Sequence, residues 1–581
     1  MRVLLATTSL CDLWLNHKGL DTANVHYPVG LGYLHAYLAA AGHRLHSLSM
    51  SSLPFPECRE KFHQSAESFQ PDVVGFNIIT DSRVSAFKLM RETESRYPNT
   101  TILAGGIHVT SMHEQIVRTF PKVIAVIGEG ELTTRELLAC LESGGDLHEV
   151  DGIAFFDQDK QRVVVTSPRA LIEDLDTLPF PQHEIFFEGG DRTEAQLMTS
   201  RGCPFHCTFC ALDALSRREV RFRSVQNVVD EIEEIQRRFP QVKSIQIYDD
   251  QFFISNKRAI AICDEIVRRG IKLMFLCQGR MRPVSRELVE ALERAGFNGV
   301  TLGLETGSPS VLKKCKKKIT PKDALHAMEM FKNSSINLNV LLMIGLPGES
   351  IHTIMETATL VQQMQAIRYH DYSHRIQTTF IYPGTELYRI AKRAGTIDDD
   401  FWLTEQNAPY FLVEHTLEEM QLYREILLTH IASIRIFTPG GLAAQKASMG
   451  NILREAFNKP LQYPHLTNLV YIAVNRLIVE DKFQVNITNL PQQEGALNIL
   501  KMMPNSGRLG VFDFYCEPSP EDRLLTTIVE QFYRADITSA TTLITQEVID
   551  YLEEVFATGT TQQMNEQLGL TDRRRKDLYN L

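Results

Sequence analysis

Three cysteines fall within eight residues, in the run Cys203-Pro204-Phe205-His206-Cys207-Thr208-Phe209-Cys210. Thiolates are the ligands of iron–sulfur clusters, and a [4Fe–4S] cube held wholly by protein takes four of them. This loop offers three at CxxxCxxC spacing, and the nearest others, Cys140 and Cys263, are far away in the chain. A cube on three thiolates leaves one iron without a protein ligand, the same open-position logic that separates catalytic from structural zinc sites. Something must bind there, and the low potential of such clusters makes electron delivery to that ligand the expected use. The alternative is a zinc loop completed by His206. Zinc ligands usually come as two pairs on separate turns, and His206 beside Cys207 would be cramped in a tetrahedral site.

The elements that must position this loop read as strands alternating with helices. A strand at 195–199 precedes the cysteines, and further strands are expected at 244–248, 272–277, 299–304, 338–344 and 376–381. Amphipathic helices such as 225–238 and 283–295 separate them. Six such units make a partial (βα)6 barrel, and chemistry in barrels gathers at the carboxyl ends of the strands. Those ends carry polar groups that a buried strand does not need: Tyr248-Asp249-Asp250, Gln278-Gly279-Arg280, Glu305-Thr306-Gly307, Gly345-Leu346-Pro347-Gly348-Glu349 and Tyr382-Pro383-Gly384. Asp250 has a second reading, as the cap of the following turn.

Ahead of the barrel, residues 1–149 read as an α/β domain with strands at 2–7, 72–79, 101–104 and 123–127 and helices at 33–41, 84–96 and 132–141. The alternation implies a doubly wound, Rossmann-like parallel sheet with ligands at the carboxyl ends of its strands. Glycines gather at those ends, in Gly105-Gly106 and Gly128-Glu129-Gly130, where a backbone must approach a ligand closely. A linker at 150–196 holds a hairpin (152–156 and 162–166) and the Leu178-Pro179-Phe180-Pro181 turn. The barrel occupies 197–400. Residues 401–581 read as a mainly helical domain, with helices at 417–435, 443–457, 466–479, 524–533 and 545–556 and with His465 and Cys516 as structural residues.

Composition bounds the rest. A chain of 581 residues exceeds what one core usually organises. Its net charge of −11 argues against nucleic acid as the main partner, and the basic runs 313–318 and 573–576 read as solvated faces. Ten cysteines without a signal peptide fit a reducing, cytoplasmic setting. No apolar stretch approaches the ~20 residues that span a bilayer.

The run Ser200-Arg201-Gly202-Cys203 through Cys210 resembles the signature of the radical S-adenosylmethionine (SAM) family. The resemblance implies that Cys203, Cys207 and Cys210 hold a [4Fe–4S] cluster, that the amino and carboxylate groups of SAM fill the open iron, and that Phe209 lies near the adenine. It adds Asp249 and Asp250 (where relatives often carry Gly-Gly-Glu), Gln278, Arg280, Glu305 and Gly345 as SAM contacts. Segments 28–32, 77–82, 105–108 and 128–131 resemble the cobalamin-binding domain fused to many such enzymes, which implies corrin contacts from Thr8, Ser82, Gly105, Gly106, His108, Gly128 and Glu129. One departure is visible. Domains that donate a lower axial histidine carry DxHxxG, whereas this chain has Asp12-Leu13-Trp14-Leu15-Asn16-His17, so the corrin is expected without that ligand and His17 as a loop residue.

The combined resemblance implies radical methylation of an unactivated position on a small molecule, with [4Fe–4S], SAM and cobalamin as cofactors and a flavodoxin- or ferredoxin-type electron donor. A related reading is oxidative ring closure of the anaerobic magnesium-protoporphyrin monomethyl ester cyclase kind. A third makes the N-terminal half a docking module without cofactor, on a SAM enzyme that acts on a macromolecule.

Overall fold

The computed structural model describes residues 1–10, 27–188, 192–368 and 372–417, and within the next ten residues 419, 420, 423, 424 and 427. Residues 11–26, with Asp12 and His17, lie outside the described residues, as do most of the expected helix at 417–435 and the expected helices beyond 443 with His465 and Cys516. The chain divides into two compact units. The first comprises Met1–Gly303, Ser334–Asn339 and Phe380–Pro409, and the second Leu304–Asn333, Val340–Thr379 and Tyr410–Leu581.

Within the first unit, β1 (Arg2–Thr7) is apolar on both faces, with Val3, Leu4, Leu5 and Ala6 at most 2% exposed. That is the signature of a strand covered by helices on both sides. It pairs in parallel with β2 (Arg44–Leu48) and β3 (Val73–Asn77); β4 (Thr101–Gly105) and β5 (Val123–Val126) continue the parallel set. The hairpin β6 (Ile153–Asp157) and β7 (Arg162–Val165) extends the sheet in antiparallel fashion, giving the order β2-β1-β3-β4-β5-β6-β7. The order in which strands are added reverses between β1 and β3, and in doubly wound sheets the crevice at such a switch point is where ligands bind. The expected strands at 2–7, 72–79, 101–104 and 123–127 are all present. Missing from the sequence reading are β2 and the helix Phe55–Phe69, whose buried Cys58, Phe62 and Ala66 stand four residues apart behind Pro54 and Pro56.

The second sheet has the order β15-β14-β13-β12-β11-β8, from β8 (Glu194–Leu197), β11 (Ser244–Ile247), β12 (Met274–Arg280), β13 (Phe297–Glu305), β14 (Asn337–Ile344) and β15 (Tyr372–Thr378). Strands β8, β11, β12 and β13 pair in parallel, each feeding a helix, as a half-barrel requires. The helix Val225–Arg238 shows why the local sequence folds so. Ser224 caps it by accepting from the Asn227 amide, and Val228, Val229, Ile232 and Ile235 form its buried stripe. Each such aliphatic side chain contributes about 1.5–3 kcal/mol on burial.

A two-stranded ribbon, β9 (Ser200–Arg201) with β10 (Arg221–Phe222), brackets the cysteine loop. Arg83, fully buried, donates to the carbonyls of Thr80, Trp402, Thr404 and Gln406 and so fastens the 402–406 segment within the first unit. In the second unit, capping boxes at Thr320–Asp323 and Ser350–Thr353 start the helices Pro321–Phe331 and Ile351–Ile367. Among the described residues, no helix is long and apolar enough to cross a membrane.

Candidate functional site

Strand β8 ends two residues earlier than its sequence suggests, and the cause is Asp249. Its carboxylate accepts from the Thr199 amide (2.5 Å) and hydroxyl (2.5 Å), and from the Ser200 amide (3.1 Å) and hydroxyl (2.6 Å). Four donors on one fully buried carboxylate draw the chain out of the sheet and aim it at the cysteines. Burial raises the Asp249 pKa, opposed by those hydrogen bonds and by the Arg258 charge. Arg258 donates in turn to the Thr199 hydroxyl (3.0 Å) and carbonyl (2.7 Å). Next in line, the Gly202 amide donates to Asp250 at 2.9 Å. On the far side, the Thr208 carbonyl accepts from the Leu387 amide at 3.0 Å. The cysteine loop is therefore pinned at both ends by protein groups.

Burial raises the Cys203 thiol, and it raises Cys210 to about 11; in each case neighbouring thiols add to the shift, so the three sense one another. Cys210 is open to water yet crowded by protein atoms, as a residue in a concavity is. Among the described residues no three Cys, His, Asp or Glu side chains converge on a single ion position. His206 is turned to carboxylates instead, 2.8 Å from Asp213 and 3.5 Å from Glu386. This donor set does not fit a zinc ion completed by His206. It suits a multi-iron cluster, which gives each thiolate its own iron.

Arg280 supplies the complementary half. Its guanidinium lies 3.8 Å from the Phe205 ring centroid, and Nη1 is 3.6 Å from Cys207 Sγ. The residue is 6% exposed, and its Nε and Nη2 are buried without a partner. Orphaned charged donors are costly, and a carboxylate presented beside Cys207 would satisfy both in a fork. The amino-acid end of SAM has that chemistry. Asp250, pushed up to about 6 by burial, offers a carboxyl beside the same loop, and a bound ammonium group would return it to the ionised form. Gln278 is spent on the Asp249 carbonyl at 3.0 Å. Phe209 is half-buried in the loop. Asp249, expected as a SAM contact, has both oxygens committed to the turn.

In the second unit, Glu305 ends β13 with φ +69 and is held by Lys317 at 2.6 Å, so its charge is already balanced. The Gly345 amide donates to Glu349 at 2.6 Å, and a Cβ there would come within 2.6 Å of Met420 Sδ.

The glycine-rich ends of the first sheet divide into two kinds. Gly106 has φ +101, and a Cβ would lie 2.6 Å from the Ile78 carbonyl, so this glycine serves the turn. Gly128 has φ +79 with nothing within 4 Å of a Cβ, and Gly105 has only Val126 at 3.8 Å; these two leave room for a ligand's approach. A flat, amide-decorated corrin fits such backbone. Thr8 donates to the Ser82 carbonyl at 3.0 Å, and the Ser82 hydroxyl is used on Ile79, so both hydroxyls are internal. His108 is 1% exposed, with Phe87 and Trp402 ring centroids at 6.2 and 6.0 Å, and Nδ1 lies 3.2 Å from the Thr80 hydroxyl. Burial and the Arg83 charge lower it to about 3, so the ring is neutral, and its Nε2 is buried without a partner. Glu129 is consumed by Arg201 and Arg221. Sequence reasoning passed over Arg201, Arg221, Glu131 and Arg258. Arg201 stands inside the quoted signature, but its partners are about 70 residues away and nothing local reveals them.

Comparison with known proteins is consistent with this geometry. The radical SAM superfamily model matches residues 197–361, and the B12 binding domain model matches residues 19–138. The chain is 29% identical over 330 residues to an uncharacterized methyltransferase of Pyrococcus horikoshii, covering 56% of this chain and 70% of that one. It is 27% identical over 350 residues to the anaerobic magnesium-protoporphyrin IX monomethyl ester cyclase of Rubrivivax gelatinosus, covering 58% and 62%. Among solved structures, the cobalamin-dependent S-adenosylmethionine radical enzyme OxsB, with aqua-cobalamin and SAM bound, aligns with a TM-score of 0.62 at 17% identity, covering 98% of this chain and 83% of that one. At that identity the likeness speaks for the fold.

Proposed function

Because the chain belongs to the radical SAM superfamily and carries a B12-binding domain, with a [4Fe–4S] cluster, SAM and cobalamin as the cofactors these imply, we propose that it is a methyltransferase acting on an unactivated position of a small molecule. The co-occurrence, in one compact unit, of a pinned three-thiol loop and a glycine-ended doubly wound sheet carries this reading. The likeness to a methyltransferase supports the direction of the chemistry. When bound, the cluster supplies the electron that breaks a carbon–sulfur bond of SAM, and the corrin supplies the methyl group.

The chain's own residues place and shelter these groups. Cys203, Cys207 and Cys210 would hold the cluster. Arg280 would take the SAM carboxylate with its two unfilled donors, and Asp250 the ammonium. Gly105 and Gly128 would admit the corrin edge against bare backbone. Phe205 and Phe209 would set apolar rings beside the site of radical formation. A side-chain nucleophile has no part in such chemistry.

SAM with a trideuterated methyl group tests the proposal. Incubated anaerobically with reconstituted protein, a reductant and a small-molecule extract, it should yield a product carrying all three deuterons. 5′-Deoxyadenosine and S-adenosylhomocysteine should form in about equal amounts. Product without deuterium, formed with 5′-deoxyadenosine alone, would exclude methyl transfer and favour the oxidative ring closure of the cyclase relative.

A further inference from the structure

Two arginines from one ribbon meet two glutamates at the start of the helix Gly130–Ser143 that follows β5. Arg201 and Arg221 stand opposite each other in the β9–β10 pairing. Arg201 donates to Glu129 at 3.0 Å and to Glu131 at 2.6 Å; Arg221 donates to the two Glu129 oxygens at 2.8 and 3.0 Å and to the Ile172 carbonyl at 2.8 Å. Glu129 also accepts from the Ile172 amide at 3.0 Å. The four charged side chains are between 6% and 15% exposed, and the Arg201 guanidinium lies 5.1 Å from the Tyr33 ring centroid. Ion pairs so desolvated and held by several hydrogen bonds each are stiff, although Arg221 Nε is left without a partner, and breaking one side leaves a buried charge without compensation.

The two ends of this cluster lie at the two cofactor seats. Glu129 follows Gly128, the open backbone at the end of β5, while Arg201 precedes Cys203 by two residues. A small cavity beside the cluster is lined by Gly128, Glu129 and Leu132 together with Ala214, Leu215 and Arg217, from the short helix Asp213–Ser216 and the residue that ends it. A shift of the β5 loop cannot occur without moving the arginines.

We propose that Glu129 and Glu131 are positioning residues which, through Arg201 and Arg221, couple filling of the corrin seat at Gly128 to the geometry of the cysteine loop. The coupling rests on the two-cofactor reading above but needs no contact between the cofactors. It also assigns Glu129 a role other than corrin binding. Linkage makes the effect reciprocal: whatever factor corrin contributes to cluster binding, the cluster contributes to corrin binding. Couplings of this kind span about 5- to 150-fold, and about tenfold is expected for so direct a connection.

Two measurements test it, both on the full chain without turnover. Affinity for hydroxocobalamin is titrated by absorbance, anaerobically, on cluster-free and cluster-reconstituted protein. Hydrogen–deuterium exchange of the peptide covering 199–211 is followed with and without hydroxocobalamin in cluster-free protein. The wild type should bind the corrin about tenfold more tightly when the cluster is present, and corrin should slow exchange in that peptide. Glu131→Gln should still bind both cofactors while the affinity ratio falls to about one and exchange no longer responds; Glu131→Asp, which restores the charge, should recover part of the ratio. If Glu131→Gln does not fold, Glu129→Gln is read the same way, since it leaves Arg201 its Glu131 partner. Wild type with both cofactors bound but no difference in affinity overturns the coupling while leaving the two-cofactor reading intact. Wild type that takes up the cluster but retains no corrin overturns that reading, and the coupling with it.

Discussion

Removing Cys203, Cys207 or Cys210 takes away one of three ligands, and no other described cysteine stands in that loop to replace it. Alanine at any of the three should reduce bound iron and bring SAM cleavage to background. Arg280 is separable from the cysteines. Arg280→Lys keeps the charge but loses the planar fork, so it should raise the KM for SAM about tenfold or more with iron content unchanged, in line with about 1.5–3 kcal/mol for a charged hydrogen bond. Parallel iron analysis and initial-rate kinetics would separate the two effects. His108 gives a different readout. Its folded pKa of about 3 lies below the ordinary value of 6.5, so below pH 6.5 the unfolded chain takes a proton that the folded chain refuses. The His108 contribution should be flat above that pH and should fall by about 1.4 kcal/mol per pH unit as pH drops from 6.5 towards 3, read as the difference between wild type and variant. His108→Gln should flatten the slope in denaturation midpoints measured across pH 4–7, and an unchanged slope would refute this origin.

Turns at the ends of strands decide which glycines are structural. Gly106→Ala places a Cβ 2.6 Å from a carbonyl at φ +101, so it should lower the melting midpoint, with a cost of about 1–3 kcal/mol. Gly105→Leu has ordinary space around its first carbon, so it should fold and melt near the wild-type temperature while weakening hydroxocobalamin binding. At this scale the sequence was a good guide to strands and a poor one to side-chain employment. Hydrophobic runs located nearly every strand of both sheets, because a strand buried on both faces is apolar throughout. The helix Phe55–Phe69 escaped because its buried face is narrow and its polar face long. Asp249 and Glu129 stand at positions expected of ligand contacts, yet the carboxylates of both are committed to the protein. A motif fixes where a residue lies along the chain, and only the tertiary neighbours determine whether its polar atoms are still free.

For the molecule as a whole, the prediction concerns what binding does to folding. A ligand that binds the folded chain alone stabilises it by about 2.7 kcal/mol at a hundredfold excess over its Kd. Hydroxocobalamin should therefore raise the melting midpoint of cluster-free wild type, and Gly105→Leu should lose most of that rise at the same concentration. An unshifted wild-type midpoint at saturating corrin would count against a seat on the first sheet. Division into α/β modules was legible from the alternation of strand and helix patterns. The joining of the 150–166 hairpin to the sheet was not, since backbone pairing between β5 and β6 leaves no mark in the side-chain pattern.

The four hydrogen bonds gathered by Asp249, with the Gly202 and Leu387 amides at either end of the cysteine loop, have a consequence for the protein's working life. Where a metal's binding energy is also the folding energy, losing the metal unfolds the chain. Here carboxylates and amides hold the loop's course, so iron can leave and the chain stays folded. A cluster destroyed by oxygen is then an injury to a replaceable part. Reloading such a chain with iron and sulfide requires no refolding.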